Sequence, residues 1–124
     1  MNRRAFLAVP FAVAAGCSHR GSRVVLYCAQ DQDFAEGLLA DFTHETGLAV
    51  VPKFDTEANK SVSLAVELEQ ELERPRCDVH WNNEILGTIR LARKGVYEAY
   101  ASPNAAPFPD WTRPVDRTWQ AFAA

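Results

Sequence analysis

Hydrophobic and polar positions alternate in blocks along this chain, and the blocks repeat one order three times. Val24-Val25-Leu26-Tyr27-Cys28 is a continuous apolar run. Such a run predicts a strand covered on both faces. Ala29-Gln30-Asp31-Gln32 follows as a polar loop. The next block has helical spacing, with Phe34, Leu38, Leu39 and Phe42 on one face. Asp33, with Glu36 three residues on, predicts a capping box at its start. Thr46-Gly47 predicts its end, where glycine suits the left-handed exit. Leu48 to Phe54 predicts a second strand. Pro52 has no N–H for a ladder, which places that strand at a sheet edge.

A second polar loop, Asp55-Thr56-Glu57-Ala58-Asn59-Lys60, leads into a helix. Its spacing turns Leu64, Ala65, Leu68 and Leu72 inward and leaves Glu67 and Glu71 on a solvated face. Arg74-Pro75-Arg76 stops it. Cys77 to Trp81 predicts a short third strand, since Val79 and Trp81 are strand formers. Asn82 and Asn83 are the expected caps of a third helix, from about Glu84 to Lys94. Its apolar stripe is Ile85, Leu86 and Ile89. Arg93 and Lys94 complement its carboxyl end, and Gly95 closes it. Val96 to Tyr100 allows a short fourth strand. Beyond Ser102 the pattern dissolves, because Pro103, Pro107, Pro109 and Pro114 forbid long regular elements. Trp111, Trp119 and Phe122 have no partner legible in the pattern.

Three strand–helix units predict right-handed crossovers onto a parallel sheet, an α/β fold built of βαβ units. In open sheets of this kind, ligands sit outside the carboxyl ends of the strands. The three polar loops converge there. They offer Gln30, Asp31, Asp55, Thr56, Glu57, Lys60, Asn82, Asn83 and Glu84 as candidate solute-binding residues. Amides, a hydroxyl and helix N–H groups suit a small polar or anionic solute. Carboxylates suit a cation, or a metal held with a counter-anion, and Asp31 is the candidate metal ligand as a hard oxygen donor. Plain helix capping explains the same residue types taken singly.

His80 has no second histidine near it and reads as a core or surface residue, since a metal site needs several converging groups. His44, in the last turn of the first helix, is explained by the helix dipole. There is no Gly-rich phosphate loop, Ser/His/Asp constellation or CxxC motif. Cys28 as a thiol nucleophile with His80 as base is the enzymatic alternative. If the first and third strands are parallel neighbours with level loops, Cys77 lies about four residues behind Cys28, on the order of 13 Å. A disulfide needs Cα atoms within about 7 Å, so two free thiols are expected.

The 124 residues, 23% charged and 48% hydrophobic, allow one small globular domain. The first residues alter the picture. Met1-Asn2-Arg3-Arg4 is a basic start, and Phe6 to Ala15 is an apolar run too short for a permanent span. Ala14-Ala15-Gly16-Cys17 resembles a bacterial lipobox, and Arg3-Arg4-Ala5-Phe6-Leu7 resembles a twin-arginine export signal. The expected organisation is a signal peptide over 1–16, a tether over 17–23 lipidated at Cys17, and a folded part over 24–124. Two of the 13 basic side chains leave with the leader, so 11 face 16 acidic ones and the net charge is -5. That balance excludes a general nucleic-acid binder. A structural envelope lipoprotein is a third functional class compatible with this pattern.

Two local phrases carry a family resemblance. Phe54-Asp55-Thr56-Glu57-Ala58-Asn59-Lys60-Ser61-Val62 and the stretch from Arg74 to Glu84 resemble bacterial extracellular solute-binding proteins of ABC importers, in particular the ferric-iron-type branch. Residues 24–122 are similar to that family in order and spacing. Ser102 to Ala106 and Trp119 to Phe122 look like the segment just before the chain crosses to a second lobe. The resemblance implies part of the first lobe of a two-lobed, type II-like periplasmic-binding-protein fold, with the second lobe outside this chain. It implies a non-enzymatic, exported protein on the periplasmic face of the envelope, anchored to the membrane by lipid. An importer permease is the implied partner. The implied cargo is a metal ion such as Fe3+ or a small polar solute, with no resident cofactor. In ferric members the paired tyrosines on iron belong to the second lobe, so Tyr97 and Tyr100 read as core or surface aromatics. Such members often place a histidine or another metal-binding side chain after the first strand, where this chain has Gln30-Asp31-Gln32.

Overall fold

The apolar run near the start of the fold is the middle of the sheet. A computed structural model describes residues 22–55 and 63–122. Its elements are β1 (Arg23–Cys28), α1 (Gln32–Thr46), β2 (Ala49–Phe54), α2 (Ser63–Gln70), β3 (Val79–Trp81) and α3 (Ile85–Arg93). The strands run in the order β2-β1-β3, all parallel. Leu26 pairs with Pro52 on one side and Val79 on the other, and Cys28 with Phe54 and Trp81. Pro52 thus sits on an edge strand, where its missing N–H breaks no inner ladder.

The crossovers β1–α1–β2 and β2–α2–β3 traverse the sheet in opposite directions. With a common handedness they lay their helices on opposite faces. On one face Leu26 and Cys28 pack with Ala35 of α1, joined by Leu39, Val50, Phe54 and Trp81. On the other, Tyr27 packs with Leu64, Ala65 and Leu68 of α2 and Leu91 of α3, joined by Val25, Cys77, Val96 and Tyr97. Coverage on both sides is why β1 reads as unbroken apolar sequence.

Several local expectations change. α1 starts two residues earlier than the Asp33–Glu36 box predicts. Its N-cap is Asp31, whose carbonyl accepts from Phe34 N (3.2 Å) and Ala35 N (3.0 Å). Glu36 is taken instead by Gln32 Nε2 at 2.6 Å. Only Leu39 of the predicted α1 stripe packs on the core. Ala35 is the fully buried contact, while Phe34, Leu38 and Phe42 remain exposed. A methyl side chain lets the helix approach the strands closely, and the larger groups are left on its rim. Gly47 ends α1 in the left-handed region as predicted, with φ 72°.

In α2, Leu64, Ala65 and Leu68 point inward as predicted, but Leu72 lies past the helix end and is exposed. Glu71 is not on a solvated face. Its two oxygens accept from the Tyr27 hydroxyl at 3.1 Å each, leaving the side chain 11% exposed. Burial and this carboxylate push the Tyr27 phenol up to about 12. Glu67 pairs with Lys53 across the sheet edge.

α3 turns Leu91 into the core, with Ile89 half-buried, whereas Ile85 and Leu86 face outward. Its end is a Schellman closure. Gly95, at φ 74°, donates to Ala92 O (2.9 Å), and Val96 N donates to Leu91 O (3.1 Å). The residues after it form no strand. They are drawn back over α3 by Val96 and Tyr97, which pack on the core. The proline-rich tail holds two short 3-10 turns, Pro103–Ala105 and Asp110–Thr112. Phe122 does find a partner, the Trp81 ring at 6.2 Å, and Trp81 in turn meets Phe34 at 6.3 Å. Cys28 and Cys77 are both free, as the four-residue offset in register requires. Among the described residues, no helix is long and apolar enough to cross a membrane.

Candidate functional site

The chain leaves β1 for β2 on one side and then crosses back past β1 to β3 on the other, so the strand order reverses there and the crevice between the carboxyl ends of β1 and β3 is the sheet's switch point. Two hydrogen bonds cross it. Ala29 N donates to Trp81 O (2.9 Å), and Asn83 Nδ2 donates to Ala29 O (3.2 Å). The β1 and β3 loops are therefore fixed to one another, and Gln30, Asp31, Asn82 and Asn83 come together there. Asp55 is tied to the same edge from the β2 side, its N–H donating to Cys28 O at 3.1 Å. Its carboxylate accepts from the Ser63 hydroxyl at the start of α2. Thr56, Glu57 and Lys60 lie outside the described residues, as does Cys17.

Capping falls on Glu84 rather than on Asn82 or Asn83. The Glu84 backbone is extended, and its carboxylate accepts from Leu86 N (2.7 Å) and from Gly87 N. Gly87 makes room for that carboxylate, because a Cβ there would stand 2.7 Å from Glu84 Oε2. Glu84 is thus spent on orienting α3. Asn82 braces the same turn, Nδ2 donating to Glu84 O (2.8 Å) and to Thr88 Oγ1 (3.1 Å). Its Oδ1 is buried and has no partner among the described residues. Replacing Glu84 with alanine is expected to cost about 1 kcal/mol, the usual worth of an N-cap. Urea denaturation measures this loss, and an unchanged midpoint would deny the cap its role.

Strand alternation extends the polar edge onto the α2/α3 face. Tyr27 pairs with His80, so His80 shares its face. His80 Nδ1 lies 2.7 Å from the Tyr97 hydroxyl. Burial lowers the His80 pKa to about 4, with the Asp55 charge pulling the other way. The imidazole is therefore neutral near pH 7, and the phenol donates to Nδ1. Burial also raises the Tyr97 pKa, while Thr88 beside it opposes the rise. Sequence reasoning placed His80 and Tyr97 in the core or at the surface and left Ser63 and Thr88 out. The available signal was the period-two alternation that puts His80 on the Tyr27 face.

The thiol alternative loses its pair. Cys28 is fully buried on the α1 face, and His80 points to the opposite one. Burial raises the Cys28 pKa, which suppresses the thiolate a nucleophile needs. No group of three or more His, Cys, Asp or Glu side chains is placed to hold a metal among the described residues. Asp31 is exposed, and its side chain makes no capping bond to α1.

No protein-family model and no curated protein matches the sequence. Solved structures do match the fold. Iron-bound HitA from Pseudomonas aeruginosa superposes with a TM-score of 0.65 at 22% identity, over 77% of this chain and 30% of HitA. Trichodesmium FutA (IdiA), in complex with iron and citrate, superposes with a TM-score of 0.69 at 20% identity, over 82% of this chain and 31% of FutA. The chain spans about a third of the length of these structures. The described residues therefore share the fold of part of these structures, a parallel sheet with helices on both faces.

Proposed function

We propose that this chain is part of the first lobe of a lipid-anchored solute-binding protein serving an ABC importer. Its cargo is ferric iron held with a small anion, or a small anionic solute alone. The observation that carries this reading is the braced switch-point crevice, where Gln30, Asp31, Asn82 and Asn83 meet beside the first turn of α1. The Gln30 amide and the N–H groups of the first turn of α1 complement an acceptor-rich surface, which a carboxylate-chelated metal presents, while Asn82 and Asn83 brace the crevice. Asp31 adds one hard oxygen donor. Thr56, Glu57 and Lys60, which follow Asp55 in the sequence, remain candidate contacts for the solute. Export places the protein on the periplasmic face, with Cys17 as the lipid attachment point and a permease as partner.

One wall of a cleft leaves the solute open to water, and closure of a second wall supplies the missing contacts. Losing that wall costs several kcal/mol, roughly a thousandfold or more in affinity. Isothermal titration of the chain with ferric citrate, citrate and other metal salts is expected to give weak, saturable binding. Sub-micromolar binding would mean that the site is complete within the chain. No saturable binding to any of these solutes would overturn the solute-capture reading in favour of a structural envelope role.

A further inference from the structure

The proline-rich tail borders a half-open cavity of about 380 Å³ that shares no residue with the switch-point crevice. Its walls include Tyr100, Ser102, Arg113, Arg117, Trp119 and Gln120. Two of these polar groups are already spent. The Arg113 guanidinium donates to Ala105 O (3.0 Å) and Phe108 O (3.2 Å) and pairs with Asp110. Gln120 Nε2 donates to Thr112 Oγ1 (2.9 Å) and Ala121 O (2.6 Å). These bonds hold the tail's two turns together and shape the wall.

The remaining donors are unspent. The Arg117 guanidinium, the Trp119 indole N–H and the Tyr100 hydroxyl have no side-chain partner among the described residues. No carboxylate lines the cavity. Arg117 also stands at φ 56°, in the left-handed region. A non-glycine residue is held there only where its surroundings fix it. Here they do: Arg117 N donates to Pro114 O (3.1 Å), and Arg117 O accepts from Tyr100 N (3.0 Å). The second bond joins the two stretches that form the cavity. The strained residue is thus locked at its rim, with the side chain on the wall.

We infer that this cavity binds a small organic carboxylate with a flat apolar body. The carboxylate pairs with Arg117, and the body lies against the Trp119 and Tyr100 rings. A guanidinium matches the two oxygens of a carboxylate in a fork, and aromatic side chains supply the apolar contact. The volume is within the range of small-molecule sites. A donor-rich wall without acidic groups favours an anion over a cation or a neutral amide.

The test is titration of the full chain with benzoate, benzamide and inorganic phosphate, followed by the indole N–H signals of Trp119, Trp111 and Trp81 in two-dimensional NMR. Saturable benzoate binding in the millimolar range or tighter is expected, with the shift centred on Trp119. Benzamide, equal in shape and uncharged, should bind at least tenfold more weakly, a comparison that does not depend on any variant folding. Phosphate, which lacks the apolar body, should also bind at least tenfold more weakly. Arg117→Asn removes the guanidinium and keeps a residue type that tolerates left-handed backbone. It should weaken benzoate at least tenfold while leaving the Trp81 signal in place. Equal binding of benzoate and benzamide would overturn the inference. So would phosphate binding as tightly as benzoate, unchanged affinity in Arg117→Asn, or no saturation.

Discussion

Replacing Leu91 with alanine is expected to destabilise the chain by about 2 to 5 kcal/mol, the range for truncating a buried leucine. Leu91 is fully buried and belongs to the cluster of Tyr27, Leu64, Ala65 and Leu68 that fixes α2 and α3 on one face of the sheet. Its carbonyl accepts from Val96 N, and Val96 packs on the same cluster, so it also seats the Schellman closure of α3. The site cannot easily collapse around the lost atoms. Tyr27 is held by Glu71, and α3 is tied to α2 by Lys94 on Glu69 at 2.6 Å. Against a total stability of about 5 to 15 kcal/mol for a typical domain, that loss is large. Leu86→Ala, at a position 74% exposed on the same helix, is expected to stay within about 0.5 kcal/mol. Urea denaturation of the two variants separates them. Equal midpoints would mean that α3 docks by a different face.

That contrast also shows where sequence reasoning reached and where it stopped. The α/β class, the three strand–helix units and the edge position of β2 were legible, because they rest on block pattern and on Pro52. The left-handed exit at Gly47 was legible for the same local reason. Which face of a helix is buried was less so. In α1 the largest apolar side chains, Phe34 and Phe42, are exposed and Ala35 is the buried contact, and in α3 Leu86 is exposed while Leu91, of equal size, is buried. Periodicity weights large residues, but close packing of a short helix on a sheet selects those beneath its axis. The caps moved for a related reason. Asp33 and Asn83 are good capping types, yet the ends of β1 and β3 place Asp31 and Glu84 at the helix entries.

The candidate site was legible as a set of loops and not as a geometry. Its convergence depends on β1 lying between β2 and β3, which the sequence implies only through crossover rules. The bond from Asn83 to Ala29 spans 54 positions and has no local signature. Glu71 is the clearest reversal. In sequence it is one glutamate of an acidic run, but the Tyr27 hydroxyl emerging from the central strand takes it out of solvent.

Acidification is expected to weaken the fold through His80, starting well above the carboxylate range. Its pKa is lowered to about 4 in the folded chain, against an ordinary value of 6.5. Burial is the leading cause, because it penalises the charged imidazolium. The unfolded chain takes up a proton as pH falls through 6.5, while the folded chain takes one up only near 4. Stability is therefore full above about pH 6.5 and declines as pH falls towards 4. The whole linkage is worth about 3 kcal/mol, most of it lost between pH 7.5 and 4.5. Protonation also turns Nδ1 from acceptor to donor, so the Tyr97 hydroxyl must reorient to accept from it. Nearby Asp55 moderates the effect, since its charge favours the imidazolium. Urea unfolding at pH 7.5 and 4.5 measures the loss, and His80→Gln is the control. Glutamine keeps an acceptor for Tyr97 but does not titrate, so most of the decline above pH 4.5 should vanish in that variant. An equal decline in both proteins would place the acid sensitivity elsewhere and remove His80 from the account.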